Sequence, residues 1–214
     1  MWHDGHRDQM EVPMKTKTVE WGVASLTAPG ESESGDRYMV ESFDGGALIA
    51  VMDALGHGHA AAQAADVAAR TLASQGHEAL DVLAKRCHAR LRTTRGVTLS
   101  MASFDSHRRA MTWLGIGNVT GVLMFADPRA APRIKSLLVR GGVVGYRLPK
   151  LLPSVVRVTA GDTLILATDG VRDDFAQILP AAIDPQPLAN RILSSYARHD
   201  DDALVLVVRC NGDD

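Results

Sequence analysis

The sequence predicts an α+β protein: a four-layer α/β/β/α sandwich in which two mainly antiparallel sheets pack together and helices flank them. Apolar runs of strand length recur along the chain, and a few stretches with helical periodicity interrupt them. These helices stand between groups of strands instead of alternating with single strands, which disfavours a βαβ fold. At 214 residues, with 46% hydrophobic and 22% charged residues, the chain is long enough to bury a substantial core.

The first elements lead to a hairpin. Residues 1–16 are polar and aperiodic, so we expect a flexible tail, followed by a single domain over residues 17–214. After a strand over 18–26, two apolar stretches at 37–43 and 47–53 flank the turn Asp44-Gly45-Gly46. In such an antiparallel pair, Asp36 would lie beside Asp53.

The middle of the chain predicts two helices and then more strands. An alanine-rich run over 60–72 is a strong helix former, and a second helix is expected over 78–91. That second helix covers a sheet, because apolar residues share one of its faces: Leu80, Leu83, Ala84, Cys87 and Leu91. The remaining expected elements are a meander of strands 97–104, 110–116 and 119–126, strands 136–140, 155–159 and 163–168, helices 174–179 and 186–198, and an inner strand 203–208.

Four aspartates stand at the ends of predicted buried strands: Asp36, Asp53, Asp169 and Asp201. Carboxylates that converge at one sheet edge repel one another unless cations neutralise them. Hard divalent ions with oxygen ligands suit such a set. Two ions bridged by a carboxylate and a water could activate that water for attack on phosphorus. The glycines after Asp53 would let a neighbouring backbone carbonyl approach an ion.

Other chemistries fit the residues less well. His57 and His59 could indicate zinc, but no third ligand stands at a recognisable spacing. A haloacid-dehalogenase phosphatase needs a D-x-D motif on a parallel sheet, and Asp53-Ala54-Leu55 lacks the second aspartate. Each aspartate taken singly could also be a turn or cap residue. We interpret Asp173, Asp174, Asp200 and Asp202 in that way.

Six short motifs, in order and spacing, resemble the PPM-type (type 2C) serine/threonine phosphatases, and most closely their bacterial SpoIIE-like branch. They are Ser34-Gly35-Asp36, the stretch from Asp53 to Gly58, Gly115-Ile116-Gly117-Asn118-Val119, the glycine-rich loop 141–145, Ala167-Thr168-Asp169-Gly170-Val171, and Asp201-Asp202-Ala203. The small size and the lack of a sensor domain resemble the stand-alone stressosome phosphatases of that branch. The likeness covers roughly residues 20–210.

The resemblance implies roles for individual residues. Asp53 would bridge two Mn²⁺ or Mg²⁺ ions, Asp36 and the carbonyl of Ala54 would bind one of them, and Asp169 and Asp201 would bind the other. A hydroxide bridging the ions would hydrolyse phosphoserine or phosphothreonine on a protein. Ala54 replaces the usual glycine, and Leu55 stands where many eukaryotic members carry a histidine. Arg37 is a candidate contact for the phosphate.

The expected partners are phosphorylated STAS-domain scaffold proteins and the kinase system that modifies them. A net charge of −2 argues against nucleic acid, and no apolar run approaches the roughly 18 residues of a membrane span. With no export signal visible, we expect a cytoplasmic protein. We expect a monomer, because no long exposed apolar helix requires a partner. The alternative from another class is a catalytically degenerate phosphatase fold that binds phosphoproteins or a kinase without turnover.

Overall fold

The computed structural model describes residues 14–74, 76–177 and 183–211, and within them two six-stranded sheets face each other. Across the first sheet the strands are β1 (Met14–Lys15), β2 (Val19–Leu26), β12 (Ala203–Cys210), β11 (Thr163–Ala167), β7 (Thr120–Met124) and β8 (Ile134–Ser136). All neighbours in this sheet run antiparallel. The C-terminal strand β12 is an inner strand, as its apolar sequence predicted.

The second sheet is built around β4, which lies between β3 and β5. Across this sheet the strands are β10 (Ser154–Arg157), β6 (Ala110–Ile116), β5 (Val97–Asp105), β4 (Gly46–Ala54) and β3 (Asp36–Phe43), and β9 (Val139–Arg140) pairs parallel with the end of β6. The other pairs in this sheet are antiparallel.

Helices cover the outer faces of both sheets. On the second sheet lie α1 (His59–Ala73) and α2 (Leu80–Arg90), and α3 (Pro185–Tyr196) packs on β2 and β12 of the first. The apolar residues accordingly form three cores: one between each sheet and its helices, and one between the sheets. The predicted four-layer α/β/β/α sandwich is therefore confirmed.

Strand β4 is apolar because it is buried on both faces. Side chains alternate along a strand, so one set points to the helices and the other to the opposite sheet. Toward α1 and α2 point Leu48, Ala50, Met52 and Ala54. Toward the first sheet point Ala47, Ile49 and Val51. The strand thus ends with Asp53 at the rim of two cores.

Two predictions about these strands are wrong. The expected meander breaks after β6, because β7 joins the other sheet and pairs with β8 and β11. The predicted strand 136–140 is two short strands, β8 and β9, in different sheets. The strands on either side of residues 160–162 also lie in different sheets, since β10 pairs with β6 while β11 pairs with β12.

Packing between the sheets explains the first of these differences. Gly121 of β7 lies directly against the ring of Trp113 in β6, so the two strands face each other across the core instead of lying side by side. The Trp113 indole N–H also donates to the carbonyl of Leu138 at 2.9 Å. The edge of β6 is meanwhile occupied by β9 and β10.

The ends of the chain differ slightly from expectation. Met14–Lys15 at the end of the predicted tail pairs with β2, whereas residues 1–13 lie outside the described residues. The helix expected over 174–179 is a 3₁₀ helix over Asp173–Gln177, and residues 178–182 are likewise outside the described part. No helix in the described ranges has the length and apolarity needed to cross a membrane.

Candidate metal centre

The β3–β4 hairpin brings the first two predicted acidic residues together. Asp36 and Asp53 are direct cross-strand partners in the observed register, as the hairpin prediction required. Asp53 is also the partner of Thr98 on β5. The backbone N–H of Ala54 donates to the carbonyl of Gly35 at 3.2 Å and closes this end of the hairpin.

The first sheet supplies the other two acidic residues. Strands β11 and β12 are antiparallel neighbours with Ala167 opposite Val205, so the end of one meets the start of the other. Asp169 follows β11 and Asp201 precedes β12, which places both at the same rim.

The two rims enclose a cleft of about 410 Å³ between the sheets. All four predicted aspartates line it, together with Ala54 and Leu55. The remaining lining residues come from nearby turns and from the glycine-rich loop: Gly56, Thr98, Gly117, Asn118, Gly141, Gly142, Val143 and Asp202. The structure therefore gathers at one place the carboxylates that the sequence placed at separate strand ends.

Burial and mutual repulsion raise the pKa of two of these carboxylates. Burial raises the pKa of Asp36 to about 8, with added repulsion from Asp53, Asp202 and Asp169 and a partly offsetting hydrogen bond from Thr168. Burial also raises the pKa of Asp53 to about 7, and repulsion from Asp169 is the second cause of the increase. The cleft thus favours positive charge, whether protons or metal ions.

The metal-free protein is expected to lose stability as the pH rises. Both carboxyl groups have a folded pKa above 3.8, the ordinary value for aspartate, so the folded state binds their protons more tightly than the unfolded state. This stabilisation is complete below the unfolded value and disappears as the pH passes through 7 and 8. Between pH 6 and pH 9 in EDTA, the two groups together account for about 4 kcal/mol, so we expect the melting temperature to fall by roughly 10 °C.

Calorimetric scans of wild type and Asp36→Asn at both pH values test this expectation. The variant should show a smaller decrease, because one of the two titrating groups is gone. A wild-type melting temperature that is equal or higher at pH 9 would contradict the repulsion inferred for the cleft.

Neutral side chains that the sequence analysis did not single out orient these carboxylates. The Thr168 hydroxyl donates to Asp36 at 2.7 Å and accepts from the Leu204 N–H at 2.9 Å. The Asn118 side-chain amide donates to Asp169 at 2.7 Å. Both residues lie inside the quoted motifs, so their positions were visible, but their contacts join distant strands and could not be read from sequence.

Asp202 has a structural role, as predicted for it. Its carboxylate is 5% exposed and accepts the backbone N–H groups of Ala28 at 2.8 Å and Gly35 at 2.7 Å. These bonds fasten the loop before Asp36 to the start of β12. The neighbouring Asp201 is exposed and accepts the N–H of Asp202 at 2.8 Å.

The alanine that replaces glycine after Asp53 does not obstruct the cleft. Ala54 is 1% exposed, and its side chain belongs to the core beneath α1 and α2. The sharp turn that follows uses Gly56 and Gly58, with φ of 79° and 75°, a conformation that favours glycine. A carbonyl at position 54 is therefore available to a ligand, as it would be with glycine.

The basic side chains near the motifs have other partners. His57 pairs with Glu31 at 2.6 Å and His59 pairs with Glu33 at 3.1 Å. Arg37, the candidate phosphate contact, binds Asp66 on α1 at 2.9 Å and also donates to the backbone carbonyls of Ser34 and Asp36. Its contact with a phosphate stays a prediction.

The donor set fits a hard divalent cation. It consists of carboxylate oxygens and a peptide carbonyl, the ligands that such ions prefer. The Thr98 hydroxyl beside Asp53 is buried without a well-formed hydrogen bond, but its proximity still helps lower the pKa of that carboxyl. Within the described residues, no three carboxylate, imidazole or thiol groups already stand in a geometry that could hold an ion. Thr168 and Asn118 each donate to a single carboxylate oxygen, Oδ2 of Asp36 and Oδ2 of Asp169.

Comparison with known proteins agrees with this geometry. The protein family described as Stage II sporulation protein E (SpoIIE) matches residues 44–211, more than three quarters of the chain. The chain belongs to the SpoIIE family. The match spans β4 to β12 and includes Asp53, Asp169 and Asp201, while Asp36 stands just before it.

Within the SpoIIE family, RsbX is a relative along nearly the whole length. The chain is 23% identical over 188 residues to the phosphoserine phosphatase RsbX of Bacillus subtilis (strain 168), which covers 86% of this chain and 92% of RsbX. The structure of RsbX in complex with magnesium has a TM-score of 0.82 at 21% identity and covers 94% of this chain and 99% of that one. The predicted SpoIIE-like branch is therefore confirmed, with RsbX close to this chain.

Two further structures have the same fold. A chain from a study of the bacterial stressosome as a modular system adapted to control secondary messenger signalling has a TM-score of 0.81 at 28% identity, covering 89% of this chain and 99% of that one. The catalytic domain of the serine/threonine phosphatase PstP in complex with two manganese ions has a TM-score of 0.68 at 15% identity, covering 91% and 99%. Both structures bear out the predicted fold, and the family match together with RsbX, a phosphoserine phosphatase, supports the predicted enzyme class.

Proposed function

We propose that this SpoIIE-family protein is a metal-dependent phosphatase that hydrolyses phosphoserine and phosphothreonine esters on signalling proteins. The observation that carries the proposal is the convergence of four carboxylates in one cleft: Asp36, Asp53, Asp169 and Asp201. The pKa values of Asp36 and Asp53 are strongly raised there. Such a cluster is costly unless it binds cations. RsbX with magnesium and PstP with two manganese ions share the fold, which supports Mg²⁺ or Mn²⁺ here.

The residues present suggest how two ions would be held. Asp53 would contact both, Asp36 and the Ala54 carbonyl would complete one set, and Asp169 with Asp201 the other. When bound, such ions supply Lewis acidity toward a phosphoryl group and lower the pKa of water. Because Asp53 pairs with Asp36 across the hairpin and lies near enough to Asp169 and Asp201 for their charges to raise its pKa, it is the residue that both sets could share.

The chain's own side chains orient the ligands and shape the entrance. Thr168 holds Asp36, and Asn118 holds Asp169, which limits the rotamers that each carboxylate can adopt. Leu55 is 41% exposed at the cleft and offers no proton to a leaving group. We infer that the leaving alkoxide takes its proton from water.

The likeness to RsbX and to the stressosome chain suggests the substrate class. We infer that the substrates are phosphorylated STAS-domain scaffold proteins in the cytoplasm, and that this protein acts as a monomer opposite a partner kinase. Removing a phosphate, which carries nearly two negative charges at neutral pH, would restore the surface that the kinase reads and reset the signal.

Two measurements on the purified protein test the proposed function. With millimolar Mn²⁺ we expect hydrolysis of p-nitrophenyl phosphate that EDTA abolishes. We also expect Mn²⁺ to raise the melting temperature by roughly 5–10 °C, because ions at a hundredfold excess over their dissociation constant stabilise the folded state by about 2.7 kcal/mol.

The combination of results distinguishes an enzyme from a binding module. Inactivity with Mn²⁺, Mg²⁺ and other divalent ions would indicate the degenerate fold. An unchanged melting temperature in the presence of Mn²⁺ would argue against the metal centre itself.

A further inference from the structure

The longest stretch of this chain without an acidic residue also contains more basic residues than any other such stretch. Residues 128–161 contain seven basic residues and no aspartate or glutamate: Arg129, Arg133, Lys135, Arg140, Arg147, Lys150 and Arg157. The rest of the chain holds 16 basic and 25 acidic residues, a net charge of −9 against −2 for the whole. We call residues 128–161 the basic segment.

The basic segment forms one wall of the metal cleft. Its loop residues Gly141, Gly142 and Val143 line the cleft opposite the carboxylates. The carbonyl of Arg140 accepts the N–H of Gly117 at 2.9 Å, in the turn that carries Asn118. Arg147 is the bridge partner of Val143, with backbone bonds of 2.9 and 2.8 Å in the two directions.

This wall is held in place from beneath. Val144 is fully buried, pairs with Val97 of β5, and packs in the same core as Leu148 and Leu151. The N–H of Gly145 donates to the Nδ1 atom of His88 on α2 at 3.0 Å. The loop therefore presents a defined outer surface to anything that enters the cleft.

The outer surface combines an aromatic ring with unpaired cations. Tyr146 is 83% exposed, and both Arg147 and Lys150 are exposed beside it. In the described part of the chain, none of the seven basic side chains of this segment forms an ion pair, although basic residues elsewhere do. A tyrosine flanked by free cations is a typical anchor for a protein partner.

The charge distribution of this protein indicates that the partner carries negative charge. A phosphoprotein approaches as an anion, and most of this molecule would repel it. Attraction comes from stretches without acidic residues. The basic segment has seven basic residues, against five in the next such stretch, residues 82–104, and it forms a wall of the cleft. Nucleic acid and anionic membranes need basic surface as well, but their extended negative charge would face the carboxylates of the cleft.

We propose that the basic segment, through Arg140, Arg147, Lys150 and the ring of Tyr146, is the docking surface for phosphoproteins whose phosphorylated residue is flanked by acidic side chains. The inference depends on the proposed phosphatase function and adds the substrate class to it. The surface raises the encounter rate with such substrates and orients them toward the carboxylate cleft.

The test compares synthetic phosphothreonine peptides that differ only in flanking residues, either glutamate or glutamine. In Mn²⁺ and low salt, we expect kcat/KM about tenfold higher for the glutamate peptide, in the range of electrostatic steering. In ~0.3 M NaCl, where screening reaches only a few ångströms, the preference should nearly vanish.

Two double variants assign the preference to this surface. Arg147→Glu with Lys150→Glu should reduce the ratio of kcat/KM between the two peptides to one or below. The matched control, Arg70→Glu with Arg191→Glu, makes the same change of charge at exposed positions on α1 and α3 and should retain the ratio.

The outcomes separate this inference from the proposed function. No metal-dependent hydrolysis of either peptide would overturn the function itself. Hydrolysis without preference in wild type, or a preference retained in the Arg147/Lys150 variant, would overturn the docking surface alone. Tighter binding to duplex DNA or to phosphatidylserine vesicles than to the glutamate peptide would also overturn it, in favour of that partner.

Discussion

The Asp53→Asn variant is expected to lose metal-dependent phosphatase turnover by roughly a thousandfold or more, equivalent to about 4 kcal/mol of transition-state stabilisation. Asp53 is the carboxylate that lies between Asp36 on one neighbouring strand and Thr98 on the other, and in our proposal it contacts both ions. An amide keeps the shape but supplies only one neutral oxygen. Steady-state assays with p-nitrophenyl phosphate in Mn²⁺ measure the loss.

The same variant should remain folded. Burial raises the pKa of Asp53 to about 7, so its ionised form is unfavourable in the metal-free protein and the neutral amide removes that cost. At pH 8 in EDTA, we therefore expect a melting temperature equal to or above that of wild type. Asp173→Asn, an exposed aspartate outside the cleft, is the matched control and should keep full turnover. A rate close to wild type for Asp53→Asn would refute the proposed metal centre.

Gly170→Ala is expected to destabilise the fold strongly. Gly170 follows Asp169 directly, and a methyl group there would overlap the carbonyl oxygen of Asp202 and lie 3.0 Å from the Cβ of Ala203. Backbone atoms of an inner strand cannot move aside cheaply, so we expect a loss of about 3 kcal/mol and a melting temperature lower by roughly 6–12 °C. Urea unfolding and calorimetry measure both quantities.

A second alanine substitution controls for the loss of glycine itself. Gly141→Ala meets no atom within 4 Å, and its backbone is not in the left-handed region. It should change the melting temperature by less than about 2 °C. If Gly170→Ala were as stable as Gly141→Ala, the close approach between the ends of β11 and β12 would be wrong, and with it the placement of Asp169 near Asp201.

In the β3–β4 hairpin, local sequence is sufficient to predict the strands and their register. The turn residues Asp44-Gly45-Gly46 and the apolar alternation around them led to strands close to the observed Asp36–Phe43 and Gly46–Ala54. Register follows from the turn and from the two-residue period, because a slip by one position would expose the apolar face. The pairing of Asp36 with Asp53 could therefore be predicted without any knowledge of the rest of the fold.

For the later strands, local sequence is insufficient to predict which sheet each strand joins. Nothing in residues 119–126 indicates that this strand leaves the sheet of β6, since its apolar pattern suits either sheet. The decision lies in the contact of Gly121 with Trp113 across the core and in the edge positions already taken by β9 and β10. These are tertiary contacts, and the apolar pattern of residues 119–126 does not contain them.

The features of the candidate site likewise fall into those that the sequence predicts and those that only the tertiary structure decides. The sequence by itself determined which four aspartates line the cleft, since an aspartate at the end of an apolar strand is a local feature, and it also determined the family through motifs in order. Only the tertiary structure decided which neighbours serve these carboxylates: Thr168 for Asp36, Asn118 for Asp169, and Asp66 for Arg37. The physical reason is range, because strand periodicity acts over a few residues, whereas hydrogen bonds and charge repulsion act between whatever side chains the packed sheets bring together.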